Sequence, residues 1–310
     1  MRAPEFEASL AEAKLYPQIW RLLLGFLLTI FIYVSVVVPI SVGTVFAMAQ
    51  GIAGDNPTTP LHLVSALGRL QNWLIGEGGA NTPGAVFFLL ATFLGLFFGP
   101  MLAAAAFHFR GPGSLFGPAR DWARGFAIGV SVQIPFLGAA VLLGALLDPP
   151  VANLQFASWL RFLPLALPLI FVQTAAEELF FRGYLMQQLA ARFAARLIWM
   201  GLPALLFALL HWDPAAGANL PVVLLYTFLF ALVASDLTEQ TGSLGAAMGL
   251  HFGNNVVAML ILAVSQTITG LALWVTAKPL GATGAQTLSF VVSIAVMLAS
   301  WAVIRHFLTR

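Results

Sequence analysis

Apolar stretches of membrane-spanning length, about eight of them, constrain this chain more than any other feature. They run over 20–48, 84–107, 125–147, 162–190, 196–212, 220–235, 243–264 and 285–307. A hydrocarbon core of ~30 Å needs roughly 20 helical residues to cross it. In lipid every backbone N–H and C=O must be satisfied within the protein, which leaves helices or a closed barrel. Barrel strands read as ~10-residue segments alternating polar and apolar, whereas these runs are continuously apolar. The expected fold is all-α, a polytopic transmembrane helix bundle of about eight spanning helices. Composition agrees: of 310 residues 60% are hydrophobic and 8% charged, against about 25% charged in a soluble domain.

Several function classes fall away. The formal charge of +2 is too small to suggest nucleic acid as a partner. The absence of cysteine removes a disulfide framework, a thiolate metal site and a Cys nucleophile. Glu5, Glu7, Glu12 and Lys14 precede any apolar run, unlike the basic start of a cleavable signal peptide. The expected location is a cell inner or plasma membrane, with several passes.

Basic residues set the expected orientation. With alternating helices, Arg2, Lys14, Arg21, Arg110, Arg120, Arg124, Arg182, Arg192, Arg196, Arg305 and Arg310 share one side. Arg69, Arg161 and Lys278 fall on the other. Both termini are therefore expected to be cytoplasmic. The segment 49–83, with Pro57, Pro60, Gly76, Gly78, Gly79 and Pro83, is predicted as a long extracytoplasmic loop. Residues 3–19 and Arg110–Arg124 are predicted to lie at the membrane interface. The chain divides into an N-terminal region 1–124, a helical core 125–265 and a C-terminal segment 266–310 with one spanning helix.

Ionisable groups inside lipid cost at least ~2.5 kcal/mol each at a helix centre, so their placement is informative. They gather in the second half: Glu177, Glu178 and Arg182 in the fourth segment, His211 ending the fifth, and His251, Asn254 and Asn255 in the seventh. Glu178 and Arg182 are four apart and share a helix face in the favoured order. Glu177, about 100° around the helix, has no local partner and faces a different neighbour, where a buried carboxylate suits a general base. His251 and Asn255 share a face, and Gly245, Ala246, Ala247, Gly249 and Gly253 around them permit close helix approach. Each group alone has a structural explanation: a buried ion pair, an interfacial His211–Trp212 anchor, an interhelical hydrogen bond. Together on three helices they point to one polar site.

Three spaced motifs carry a resemblance. Glu177-Glu178-Leu-Phe-Phe-Arg182, Phe207-Ala-Leu-Leu-His211 and His251-Phe-Gly-Asn-Asn255 occur in order on successive apolar segments. In these the chain resembles the CAAX-protease and bacteriocin-processing (Abi) family of intramembrane proteases, over roughly 160–265. The resemblance implies an endopeptidase acting on a membrane-embedded or lipid-anchored peptide or protein within the bilayer. It implies Glu177 as the base that activates water, His211 as a group positioning that water, and His251 with Asn255 as the oxyanion site. Glu178 and Arg182 become supporting groups. No metal is assigned. Glu177, His211 and His251 match a catalytic zinc ligand set, yet the helical His-Glu-x-x-His motif is absent, and a metal-independent mechanism is preferred. His211 is fifteen residues from Arg196, about 22 Å at helical rise, and is expected towards the extracytoplasmic end, away from Glu177. The alternatives are a proton-coupled transporter, because intramembrane Glu, His and Arg also build proton relays, and a non-catalytic scaffold of the same fold.

Overall fold

The computed structural model describes residues 2–75 and 79–309; Gly76 and Gly78 of the expected loop and Arg310 of the basic set lie outside them. Helix α1 (Pro4–Ser9) is followed by α2 (Ile19–Ala53), α3 (Pro60–Ile75), α4 (Pro83–His108), α5 (Gly113–Phe116) and α6 (Ala119–Leu147). Strand β1 (Val151–Ala152) precedes α7 (Phe156–Arg192), α8 (Leu197–Leu209), α9 (Leu220–Thr241) and α10 (Gly245–Ile261). Strands β2 (Leu262–Ser265) and β3 (Trp274–Pro279) lead to α11 (Ala285–Leu308). Among the described residues, six helices are long and apolar enough to cross a membrane, namely α2, α4, α6, α7, α9 and α11. Helices α8 and α10 are apolar but shorter. The chain is a multi-pass integral membrane protein with a predominantly helical fold.

One expectation is corrected. The 49–83 segment is not a loop throughout: α2 runs on to Ala53, and α3 occupies Pro60–Ile75. Proline suits the first turn of a helix, where its missing N–H would have no partner, and Ala66 and Leu70, four apart, are buried. The bundle is helical as expected, and it also carries a small sheet. Strands β1, β3 and β2 pair in that order, β1–β3 antiparallel and β2–β3 parallel. The sheet closes one end of the bundle, where the Asn153 amide donates to the carbonyls of Thr269 and Ala272 at 2.9 and 2.8 Å.

Contacts between helix ends reveal which ends share a face. Arg2 donates to the Phe193 carbonyl, Arg21 to Phe107, and Arg124 to Phe307. Arg110 reaches Gln187, Arg196 pairs with Glu239, and Arg305 with Asp236. Both termini and most of the counted basic residues thus lie at one end. In α1, placed there with Phe6 and Leu10 fully buried, a hydrogen bond from Lys14 holds the Glu7 carboxyl below its usual range. Arg182 is the exception to the basic set, buried inside the bundle rather than at its end. At the opposite end, Asn219 donates to the carbonyls of Leu280 and Ala282, and Thr269 to that of Ala80.

Helices α6 and α10 meet through glycine on both sides. A Cβ on Gly245 would lie 2.0 Å from the Trp122 carbonyl oxygen, and one on Gly249 would lie 2.4 Å from that of Phe126. A Cβ on Gly129 would lie 2.7 Å from the Leu250 nitrogen. Small residues at four-residue spacing let backbones touch where no hydrophobic effect drives helices together. With its glycine face spent on α6, α10 turns His251 and Asn255 toward α7.

Candidate active site

Helix α7 brings four polar side chains to the site from successive turns: Gln173, Glu177 with its neighbour Glu178, and Arg182. Pro164 and Pro168 lie inside α7, tolerated in a bundle where neighbouring groups take up freed carbonyls. Directly after Glu178 the helix widens into a π-helical stretch, Leu179–Met186, whose residues are all buried. Such stretches concentrate at functional sites because they re-aim side chains within a continuous helix.

Glu178 and Arg182 form the expected i,i+4 pair at 3.0 Å, with side chains 0% and 1% exposed. A charge so buried requires both a partner and further hydrogen bonds. Arg182 also donates to the Ala231 carbonyl of α9 at 3.1 Å, and Glu178 Oε1 accepts from His251 Nδ1 at 2.8 Å. Because a carboxylate only accepts, His251 Nδ1 carries a proton. Its Nε2 then faces Glu177 Oε2 at 3.6 Å. Among the described residues none donates a hydrogen bond to Oε2, while Glu177 Oε1 accepts from Gln173 Nε2 at 2.7 Å. Gln173 Oε1 in turn accepts from Asn255 Nδ2 at 2.7 Å. Asn255 Oδ1 accepts from Asn254 at 3.1 Å, and Asn254 Oδ1 accepts from the Tyr226 hydroxyl at 2.9 Å. Polar groups of three helices are thus joined in one network.

The structure brings together Glu177, Glu178, Arg182, His251 and Asn255. It leaves His211 at the rim: exposed, just beyond the end of α8, with Nδ1–H donated to the Phe207 carbonyl at 2.9 Å. His211 and His251 share a neighbour, however. The ring of Phe207 lies 4.8 Å from His211, 6.2 Å from His251, and beneath the Arg182 guanidinium at 4.8 Å. Gln173 and Tyr226 were not singled out from the sequence. Gln173 was findable, four residues before Glu177 on the same face of an apolar helix; Tyr226 gives no such sign.

Among the described residues no three His, Cys, Asp or Glu side chains are gathered to hold an ion. Glu177 and His251 face one another, and His211 gives its Nδ1–H to its own helix and keeps Nε2 free; Glu177, His211 and His251 are not among any such group.

A Bacillus subtilis (strain 168) protein described as "Uncharacterized protein YyaK" is 29% identical over 154 residues, 48% of this chain and 51% of that protein. The chain thus spans about half the length of this curated relative. No solved structure matches. The family model described as Type II CAAX prenyl endopeptidase Rce1-like matches residues 159–257, a span that contains every member of the polar network. Over that span the chain is similar to the Rce1-like type II CAAX prenyl endopeptidases, consistent with a protease of the CAAX-protease and bacteriocin-processing family.

Proposed function

We propose that this chain hydrolyses a peptide bond of a membrane-embedded or lipid-anchored substrate, using water activated by Glu177. One observation carries the reading: Glu177 Oε2, without a hydrogen bond from the described residues, faces His251 Nε2 at 3.6 Å, with Asn255 joined to the same carboxylate through Gln173. Water bound at Oε2 yields its proton to Glu177 as its oxygen attacks the scissile carbonyl. His211, with Nδ1–H committed to Phe207, offers Nε2 to accept that water's other O–H. The negative charge forming on the carbonyl oxygen is met by the second N–H of Asn255 and by Nε2–H of His251 in its imidazolium form. Glu178 fixes the His251 ring through Nδ1, and Arg182 neutralises Glu178. Collapse of the tetrahedral intermediate breaks the C–N bond, and the proton held on Glu177 passes to the leaving amine.

The test uses purified protein in proteoliposomes with two peptide sets, farnesylated peptides ending in Cys-aliphatic-aliphatic-X and unmodified single-span peptides. Products are identified by mass spectrometry. Wild type is expected to cleave the farnesylated set, and Glu177→Gln to lose at least about 100-fold in kcat while unfolding at the same temperature. Chelator is expected to leave turnover unchanged. Cleavage of neither set removes the peptidase reading, and equal turnover in Glu177→Gln removes the base. Loss with chelator, restored by zinc, overturns the metal-free mechanism.

A further inference from the structure

Gln173 lies outside all three motifs, yet it touches two of their members with opposite ends of one amide. Its Nε2 donates to Glu177 Oε1 at 2.7 Å, and its Oε1 accepts from Asn255 Nδ2 at 2.7 Å. The side chain is buried, as is the Thr174 hydroxyl beside it, which is bound to the carbonyls of Ile170 and Phe171. An amide has two donors on nitrogen and two lone pairs on oxygen, so both contacts can be made at full strength only with the side chain held in one orientation. That orientation has consequences at each end. Glu177 is left with Oε2 as its open oxygen, on the side of His251. Asn255 is left with one N–H to give, since the other goes to Gln173, while its carbonyl oxygen accepts from Asn254.

We propose that Gln173 is a positioning residue that couples the base to the oxyanion donor, setting the direction of Glu177 Oε2 and of the free Asn255 N–H together. The proposal rests on the peptidase reading above, in which those two groups act on the same carbonyl from different helices. Among the described residues nothing else joins these two groups across α7 and α10: the Glu178–His251 contact fixes the imidazole but touches neither Glu177 Oε1 nor Asn255. The carboxylate and the amide can therefore turn independently once Gln173 is lost. Misplacement of a reacting group by about 1 Å can cost as much as 100-fold in rate. Gln173 makes no contact with a water or carbonyl in this scheme, so the loss falls on kcat and not on substrate binding.

The experiment takes the peptide that wild type cleaves fastest in the proteoliposome assay and compares Gln173→Met, Gln173→Asn, Asn255→Ala, Gln173→Met/Asn255→Ala and Glu177→Gln. Methionine keeps the length and volume of glutamine without a donor and with only a weakly accepting sulfur; asparagine keeps the amide but is one methylene short. Gln173→Met is expected to lower kcat by about 10- to 100-fold with KM within about twofold of wild type. Gln173→Asn is expected to fall between the two. Gln173→Met and Asn255→Ala together are expected to lose less than the product of their separate losses, as for groups that act as a unit. A kcat within about twofold of wild type, a loss confined to KM, or losses that multiply in full would overturn the coupling role. A merely structural role would show as a lowered unfolding temperature with no excess loss in kcat, and also overturns it. If Gln173→Met does not fold, Gln173→Asn carries the same comparison. Should Glu177→Gln remain active, the peptidase mechanism fails; should Glu177→Gln be inactive and Gln173→Met unaffected, only the Gln173 role fails.

Discussion

Phe207 shows how an apolar residue can organise a polar site. Its ring lies beneath the Arg182 guanidinium, against both imidazoles, edge-on to Phe181 at 5.2 Å and stacked near Phe230 at 6.1 Å. A cation over an aromatic face gains more when water is excluded, and Arg182 is almost fully buried. Arg182 thus has three supports, the Glu178 carboxylate, the Ala231 carbonyl and the Phe207 ring, each on a different helix. Removing it would leave Glu178 as a buried charge with His251 as its remaining partner. Arg182→Ala is therefore expected to lose about 3–5 kcal/mol of stability, measured by chemical unfolding in detergent micelles, and to lose activity with it. Lysine keeps the charge but not the planar fork that reaches two helices, so Arg182→Lys should recover only part. Glu177→Gln, where no such pair is broken, should unfold as wild type does. Wild-type stability in Arg182→Ala would mean that the pair is incidental to the fold.

Helix packing at the site depends on the glycine face between α6 and α10, and here one added side chain should tell. Gly249→Val would drive its Cβ into the Phe126 carbonyl, 2.4 Å from where it would sit, and α10 must move to relieve it. The expected cost is about 1–3 kcal/mol, with turnover falling further than stability because His251 and Asn255 move with the helix. Gly138→Val on α6, where a Cβ meets nothing within 4 Å, should change neither; equal effects at both positions would refute the interface. This face was legible in the sequence, since Gly245, Gly249 and Gly253 recur at a spacing of four, as were the Glu178–Arg182 pair and the apolar segments. The π-helical stretches after Glu178 and from Val257 to Ile261 were not, because no residue type signals an extra residue per turn. Nor was the sheet, whose strands are two to six residues long and whose pairing is nonlocal. The sequence count also bears on the depth of His211. Counted from Arg192, Glu177 is also fifteen residues in, so both lie about 22 Å from the same end at helical rise. Helix α8 ends at Leu209 and is apolar but shorter than the six long helices. The Arg182–Phe207 contact independently ties α8 to that level of α7.

Taken across the bundle, the contacts sort the helix ends into two faces, and the charges sort with them. The N-terminus, 108–118, 193–196, 241–244 and the C-terminus meet at one end through Arg2, Arg21, Arg110, Arg124, Arg196 and Arg305. The opposite end collects the segments after α2, α6, α8 and α10, tied by Asn153 and Asn219. Each apolar helix thus runs from one face toward the other, with α8 and α10 completing the alternation despite their length. Short loops rich in Lys and Arg stay on the cytoplasmic side during insertion, so the basic end is expected to be cytoplasmic. The chain has no native cysteine, which makes single-cysteine labelling a direct test. Gly111→Cys lies at the basic end; Thr58→Cys and Thr283→Cys lie at the other, all at exposed positions. In right-side-out vesicles an impermeant maleimide should label Thr58→Cys and Thr283→Cys and spare Gly111→Cys until the membrane is opened. The reverse pattern would invert the orientation while keeping the fold. Labelling of Thr58→Cys and Thr283→Cys from opposite sides would break the alternation itself, because α4 and α6 to α10 must then cross a different number of times. Since Glu177 and His211 are placed relative to that basic face, the same result fixes the side from which their depth in the bilayer is measured.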